Sequence, residues 1–575
     1  MVGIGERLVP DGARTAVRRR RRGAPARSQD ARPAGPVGSA APRRRAAAWL
    51  PVLAVVLALT AGTGCDVGGA SDPGSGPGAS GAGHRTGAKA PSPPPGLPAA
   101  FTTGQRLRWA PCPAPSPAHG KGGGWQCATM KAPLDHRRPG RGTIDVALIR
   151  KRATGADHER IGSLVFDFGG PGESGVTGLP EYADDYTKLG ERYDLVGFDP
   201  RGVGRSAPVR CGRTEFESGD ACEKYSGRIL PYVTTSQTAR DLDLLRYLLG
   251  DGKLNYFGIS YGTELGGVYA HLFPKNVGRT VLEAPVDPTQ DRLQEELSQV
   301  KAVQSAFDRF ARHCARTYDD CPTGSAPEQA DRRVTALLDR LRDKPARTDG
   351  GEELDADLAA HAISNHLDLG EDGWEPLVKA LDEVMRRGTG NALMREAYDH
   401  APGARAKRLT GARTGTGIDA GTSTGAESGA GTAAPDDNSV SAYVAITCAD
   451  SSSRPGFTEA EDMVKRIEAA SPVFGEAWSS AVYLCYDWPV KGERAAPDVR
   501  AYGASPILVV AGTGDPTTPY AGGERMAAEL GAKVGVLLTV RAEGHGTYPY
   551  DDCATGAVDT YLLDGTPPAR GTTCS

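Results

Sequence analysis

The sequence predicts an α/β fold: a mostly parallel sheet flanked by helices, with a mainly helical cap inserted late in the chain. Three observations carry this. Short apolar runs bounded by glycine or acidic turns recur along the chain, "GSLVFDFGG", "YDLVGFDP", "KLNYFGIS", "RTVLEAPVDP", then much later "PILVVAGTGDP" and "VGVLLTV". Helical patterns such as "TTSQTARDLDLLRYLLG" and "TELGGVYAHLF" lie between them, and strands that alternate with helices form parallel sheets covered on both faces. Between residues 289 and 498 the alternation stops, and "DRLQEELSQVKAVQSAFDRFARHC", "ADRRVTALLDRLRD", "WEPLVKALDEVMRRG" and "FTEAEDMVKRIEAAS" read as amphipathic helices.

Taken in order, residues 1–65 read as an export signal. Twelve arginines stand against three acidic residues in 1–64, and a short apolar run, "AAAWLPVLAVVLALTAG", leads to small residues and Cys65. A basic, then apolar, then small-residue order describes secretion, and the run is short for a membrane span. "GTGC" resembles a lipobox, so Cys65 is a candidate for lipidation and membrane attachment. Residues 66–100 are rich in Gly, Ser and Pro and are expected to be a disordered linker. Residues 101–288 are the first part of the sheet-bearing core, with "TIDVALIRK" as a candidate edge strand. Thr235 or Ser236 is a candidate cap for the helix striped by Leu242, Leu245, Leu248 and Leu249. The cap follows at 289–498, including a low-complexity tract at 411–439 expected to be disordered. Residues 499–575 complete the core.

The net charge of −4 hides a basic leader on an acidic body, which argues against a nucleic-acid partner. Eleven cysteines leave ten once Cys65 is set apart. Joining neighbours in sequence gives Cys112 with Cys127, Cys211 with Cys222, Cys314 with Cys321, Cys448 with Cys485 and Cys553 with Cys574. Disulfides persist outside the cytosol, so a secreted or cell-surface protein is expected. No Cys/His cluster has zinc spacing, and "GTGDPT" lacks the third glycine of a dinucleotide fingerprint. No metal and no cofactor is expected, and a monomer is.

The chemistry centres on Gly258-Ile259-Ser260-Tyr261-Gly262. In a chain with 75 glycines such a pattern is also an ordinary tight turn. Here an apolar strand precedes it and a helix follows, the context of a nucleophile elbow. A neutral serine needs a base, and only His545, in "RAEGHGTYP", lies beyond the last core strands. Asp515 ends the strand "PILVVAGTGD" thirty residues earlier and is the candidate acid; its alternative role is to cap the helix starting near Thr518–Tyr520. Gly170, in "FGGPGESG", and Tyr261 are candidate oxyanion donors through their N–H groups. The order Ser260, Asp515, His545 is that of the α/β-hydrolase fold.

From Phe101 to Ser575, the motifs "FGGPGESG", "DPRGVGRS", "LNYFGISYGTELG", "VLEAPVDP", "AITCAD", "AGTGDPTTPY" and "EGHGTY" resemble the secreted tripeptidyl aminopeptidases of actinobacteria, in the proline iminopeptidase clan of α/β-hydrolase serine peptidases. The resemblance implies release of short peptides, often tripeptides, from free N-termini, with Ser260 as nucleophile, Asp515 as acid and His545 as base. Two departures stand out: Phe168 precedes the glycine pair where many members have histidine, and Glu283-Ala284 replaces a more usual Asp-Gly. An exopeptidase needs an anionic group for the substrate's ammonium, and Glu173, Glu264, Glu283 and Asp450 are the candidates. Activity is expected to fall near pH 6–7, as a histidine of ordinary pKa protonates. The rival readings are a secreted carboxylesterase or lipase with the same triad, and a non-catalytic binding protein on the same scaffold.

Overall fold

Ten strands form one sheet in the computed structural model, which describes residues 91–112, 123–212, 219–398 and 438–575. The strands are β1 (Ala110–Pro111), β2 (Trp125–Pro133), β3 (Thr143–Lys151), β4 (Gly162–Asp167), β5 (Tyr193–Phe198), β6 (Leu254–Ile259), β7 (Val277–Glu283), β10 (Ile507–Gly514), β11 (Gly535–Glu543) and β12 (Thr573–Cys574); β8 (Ala346–Arg347) and β9 (Glu353–Leu354) make a separate hairpin. The order is β1-β2-β3-β5-β4-β6-β7-β10-β11-β12. All pairs from β5 to β12 are parallel, while β2 and β3 are antiparallel additions.

Every residue of β4 and β5 is buried, which explains their unbroken apolar runs: both faces carry helices. β3 is not an edge strand, because β2 pairs with it along all nine residues. The strand "WQCATMKAP" escaped the reading from sequence since its pattern mixes polar and apolar residues on both faces. The helix Thr235–Leu249 ends at Gly250 in a left-handed turn, φ +82°. Its cap is Thr234, not Thr235 or Ser236, and no side chain of its own closes the first turn. Asp450, 215 residues further on, takes the Thr235 N–H at 2.8 Å instead.

The insertion is not one continuous cap. Helices Arg292–Thr317, Pro327–Asp343, Ala356–Asp368, Glu371–Asp382 and Phe457–Ala470 share their own apolar core around Val300, Phe307, Phe310, Ile363, Leu377 and Ile467. The first opens with Asp291 and Gln294 capping each other's backbone. The helix Ser439–Asp450 and the segment from Cys485 to Ala501 pack instead into the core beside the sheet, through Ala442, Ile446, Cys448, Trp488 and Val499. The boundary expected at 498 therefore falls inside a chain that crosses between the two cores several times.

The linker expected to 100 is likewise shorter. Leu97 packs on the core, and the Ser92 carbonyl accepts a bond from the buried Arg246 at 3.2 Å. At the end of the low-complexity tract, Asn438 is buried, bonded to Gly202, Gly204 and Val209. The export signal, Cys65 and most of 411–439 lie outside the described residues. All five neighbour pairings form disulfides: Cys112–Cys127, Cys211–Cys222, Cys314–Cys321, Cys448–Cys485 and Cys553–Cys574. Among the described residues, no helix is long and apolar enough to cross a membrane.

Candidate active site

Ser260 joins β6 to the helix Tyr261–Leu272 at φ +56°, ψ −123°, a region that costs a residue with a side chain of order 1–3 kcal/mol. Its flanking glycines permit this. A Cβ on Gly258 would lie 2.4 Å from the Gly262 carbonyl, and one on Gly262 would lie 2.7 Å from the Asp167 carbonyl of neighbouring β4. The turn is thereby wedged against the sheet, and the serine projects beyond it.

The glycine loop after β4 closes over this turn. A Cβ on Gly169 (φ +90°) would meet the Ile259 carbonyl at 2.6 Å and the Tyr261 nitrogen at 3.2 Å. Gly169 N–H donates to Asp167 at 3.1 Å, and burial pushes that carboxyl up to about 7. Gly170, Ser260 and Tyr261 share one cavity wall. Phe168 points away from it, buried against Phe166 and Tyr182, so the departure at this position serves packing under the loop.

Asp515 and His545 come together at the carboxyl ends of β10 and β11. His545 Nδ1 lies 3.0 Å from both Asp515 oxygens, so Nδ1 carries the proton and Nε2 is left as the basic nitrogen. Asp515 does not cap the helix that follows, which runs Tyr520–Glu529 with Pro519 at its N-cap and no side-chain cap; its Oδ1 instead closes the preceding turn, accepting from Thr517 N–H at 2.9 Å and Thr518 N–H at 2.7 Å. Burial pushes the imidazole down; the Asp515 charge and hydrogen bond, then Asp368 and Glu283, outweigh it and raise it to about 9. The acid limb expected at pH 6–7 is thus displaced upward.

The cap grips both loops. Asp368 accepts the His545 N–H through its carbonyl at 2.8 Å and the Thr517 hydroxyl through its carboxylate at 2.7 Å. Arg309 reaches Glu543 at 2.7 Å and the Gly514 carbonyl at 3.0 Å, thereby holding the ends of β11 and β10. Neither residue carries a local signal in the sequence.

Ser260 opens onto a cavity of about 160 Å³ whose wall includes Glu264, Glu295, Glu296, Asp287 and Asp450, together with Arg292 and Arg494. Two of the four candidates for an ammonium partner, Glu264 and Asp450, are here. Burial, then the charge of Asp450, holds Glu264 above the ordinary carboxylate range, and burial raises Asp450 against its bonds from Thr235. Glu295, missed from sequence, is solvent-exposed on this wall; the surrounding protein and the charge of Glu296 raise it above the ordinary carboxylate range. Glu173 lies in the glycine loop, outside this wall.

Glu283 is not in the cavity either. It sits behind the His545 loop, where Oε1 accepts from Thr547 N–H at 2.5 Å and Thr547 Oγ1–H at 2.9 Å. Burial pushes it up to about 7, against those bonds.

A strained serine after β6, an acid after β10 and a histidine after β11 define an α/β hydrolase, and residues 164–368 match the family described as alpha/beta hydrolase fold. Residues 471–574 match the family described as TAP-like protein, and the chain belongs to this TAP-like branch of the α/β hydrolases. It is 32% identical to the serine protease Hip1 of Mycobacterium tuberculosis over 514 residues, covering 82% of this chain and 91% of that one. Tripeptidyl aminopeptidase of Streptomyces lividans is 29% identical, with 78% and 83% covered. Carboxylesterase B of M. tuberculosis is 30% identical, with 78% and 86% covered.

Proposed function

We propose that the chain is a serine peptidase that releases short peptides, tripeptides foremost, from free N-termini outside the cytoplasm. The observation that supports this is the cavity: it begins at Ser260, is bordered by the cap helix Arg292–Thr317, and is lined by five carboxylates that a substrate's ammonium would neutralise. Ser260 attacks the scissile carbonyl while His545 Nε2 takes its proton, with Asp515 holding the imidazole. The Gly170 and Tyr261 N–H groups receive the oxyanion, each such donor being worth about 3–4 kcal/mol in the transition state. His545 returns the proton to the leaving amine, and water repeats the cycle on the acyl-enzyme.

Replacing Ser260 with Ala tests the assignment on a tripeptide anilide, where turnover should fall by at least about 10³-fold. Near-normal turnover refutes the nucleophile. An N-acetylated peptide cleaved as fast as the free one refutes the exopeptidase part.

Carboxylesterase action is the second reading, favoured by the relative of that name. A higher kcat/KM on short acyl esters than on peptide anilides would select it. Five disulfides support an oxidising compartment. Anchoring through a lipid on Cys65 predicts that Cys65→Ala abolishes incorporation of labelled palmitate. We expect a monomer acting on peptides, with no nucleic-acid partner.

A further inference from the structure

Glu283 is a buried carboxyl that neither the triad nor the cavity wall uses. It closes β7, in register with Ile259 of β6 and Val510 of β10. Ile259 directly precedes Ser260, and β10 runs on from Val510 to the acid Asp515. The strand that carries Glu283 therefore lies between the strand of the nucleophile and the strand of the acid.

Its main chain is bonded to both neighbours. The Glu283 carbonyl accepts the Ser260 N–H at 3.0 Å, and the next residue, Ala284, donates its N–H to the Val510 carbonyl at 3.0 Å. Its side chain reaches the base. Oε1 accepts from the Thr547 N–H, from the Thr547 hydroxyl and, at 3.4 Å, from the Tyr548 N–H. The same oxygen lies 3.9 Å from where a Cβ on Gly546 would stand, so the carboxyl sits against the turn that directly follows His545. Gly544 and Gly546 flank His545 at φ +97° and +83°, and glycine has more backbone freedom to lose than any other residue. The loop thus depends on what is bonded to it. Asp368 holds its first half through the His545 N–H at 2.8 Å, and Glu283 holds its second half.

Packing alone does not account for an acid here. Oε2 is buried and has no hydrogen-bond partner among the described residues, and the like charge of Asp515 works against ionisation of the group. A buried oxygen left in this way costs about 1–3 kcal/mol. An apolar side chain of the same length would fill the space without that cost, but it would offer Thr547 no acceptor. A local rule broken at a cost in stability marks a functional position.

We propose that Glu283 is a positioning residue that fixes the span between nucleophile and base, its carbonyl seating Ser260 and its carboxyl seating the loop of His545. This rests on Ser260 and His545 acting as a pair, and it holds for a peptide or an ester substrate.

The test compares the full chain carrying Glu283→Met, which keeps the length and removes the acceptor, with Glu283→Gln, which keeps an acceptor. Both are assayed well below their melting temperatures, by turnover of a tripeptide anilide and by the rate at which a fluorophosphonate labels Ser260, a reaction that needs the pair but not the peptide subsites. We expect Glu283→Met to lower kcat at least about tenfold with KM within about twofold, to slow labelling in proportion, and Glu283→Gln to regain most of both. Thr547→Val, which cuts part of the same tie from the loop's side, should show a smaller loss with the same split between kcat and KM. A kcat and a labelling rate that stay within about twofold in Glu283→Met overturn the proposal, as does a loss that Glu283→Gln shares in full while both variants melt lower. Failure of the underlying readings looks different. An unsubstituted enzyme that takes no label refutes the Ser260–His545 pair and this proposal with it. One that takes the label and leaves the anilide uncleaved refutes the peptidase reading alone, and the labelling rates still decide the role of Glu283.

Discussion

Replacing Arg309 with Met asks whether the cap does more than cover the site. Arg309 projects from the cap helix Arg292–Thr317. Its Nε lies 2.7 and 2.8 Å from the two Glu543 oxygens, and its Nη2 lies 3.0 Å from the Gly514 carbonyl. Gly514 directly precedes Asp515, and Glu543 stands two residues before His545. One guanidinium thus ties together the strand ends that present acid and base. Both charged partners are about a quarter exposed, 26% and 21%, so solvent screens part of the attraction and the contact contributes roughly 1–2 kcal/mol to stability. In a chain this large that moves the melting temperature by only a few degrees. The catalytic effect should be larger, because a displacement of about 1 Å in a reacting group costs up to about 10²-fold in rate. On a tripeptide anilide, Arg309→Met should lower kcat by roughly 10- to 100-fold and leave KM within about twofold. Arg309→Lys, which can reach one partner but not both, should recover part of the loss, and Glu543→Gln should mimic it. An unchanged kcat beside a lowered melting temperature would show that the contact serves packing alone. A matching rise in KM would show that Arg309 shapes the substrate cavity instead.

The raised His545 predicts a kcat/KM that climbs through pH 7, reaches half its maximum near pH 9 and levels only above it, since only the neutral imidazole is a base. Asp515→Asn removes the largest raising cause, so the limb should drop to 6.5 or below while the plateau falls by about 10³- to 10⁴-fold; a limb below 6.5 in the unsubstituted enzyme contradicts the geometry. The same pair is a stability term that is complete below pH 6.5 and fades as pH rises through about 9. Glu283 acts in the same direction over a lower pH window. It is raised from 4.5 to about 7, so the unfolded chain sheds this proton first, and stability declines by roughly 3 kcal/mol between pH 4.5 and 7. Glu283→Gln keeps an acceptor for Thr547 and removes that decline, so its gain in melting temperature should grow from pH 5 to pH 8; a gain that is flat with pH excludes the account. Gly262→Ala would force a Cβ to 2.7 Å from the Asp167 carbonyl and should cost about 1–3 kcal/mol along with most labelling of Ser260 by a fluorophosphonate, read by gel; full labelling would show that the turn relaxes freely.

The parts of the site legible in the sequence are those whose geometry is settled within a few residues. Gly258 and Gly262 bracket Ser260 because the turn admits nothing larger. Gly544 and Gly546, with φ +97° and +83°, bracket His545 in a loop that turns back over the sheet. Asp515 ends a buried strand and binds its own next turn. Glu283 was legible as an unusual acid but not as one behind the histidine loop, because its partners are Thr547 and Tyr548, more than 260 residues away. Local pattern records which side chains can occupy a turn; it is silent on which element will be folded against it.

Asp450 shows what that silence conceals. It accepts from the Thr235 hydroxyl at 2.6 Å, and the Tyr261 hydroxyl is bonded to the same Thr235 oxygen. With the threonine proton on the carboxylate, the tyrosine is the donor in the second bond. One buried chain therefore runs from the cavity wall to the side chain of the residue whose N–H is proposed to hold the oxyanion. Asp450 belongs to a helix that packs with the hydrolase core although the insertion encloses it on both sides. Arg309 and Asp368 reach the same centre from the cap proper. The insertion thus contributes to the placement of all three parts, the oxyanion donor, the acid and the base, while Ser260 itself is held by the sheet. A cap that shifted on its core would displace the machinery around the nucleophile and leave the nucleophile where it stands, so substitutions at Asp450, Arg309 and Asp368 should weaken turnover of peptides well before they unfold the chain.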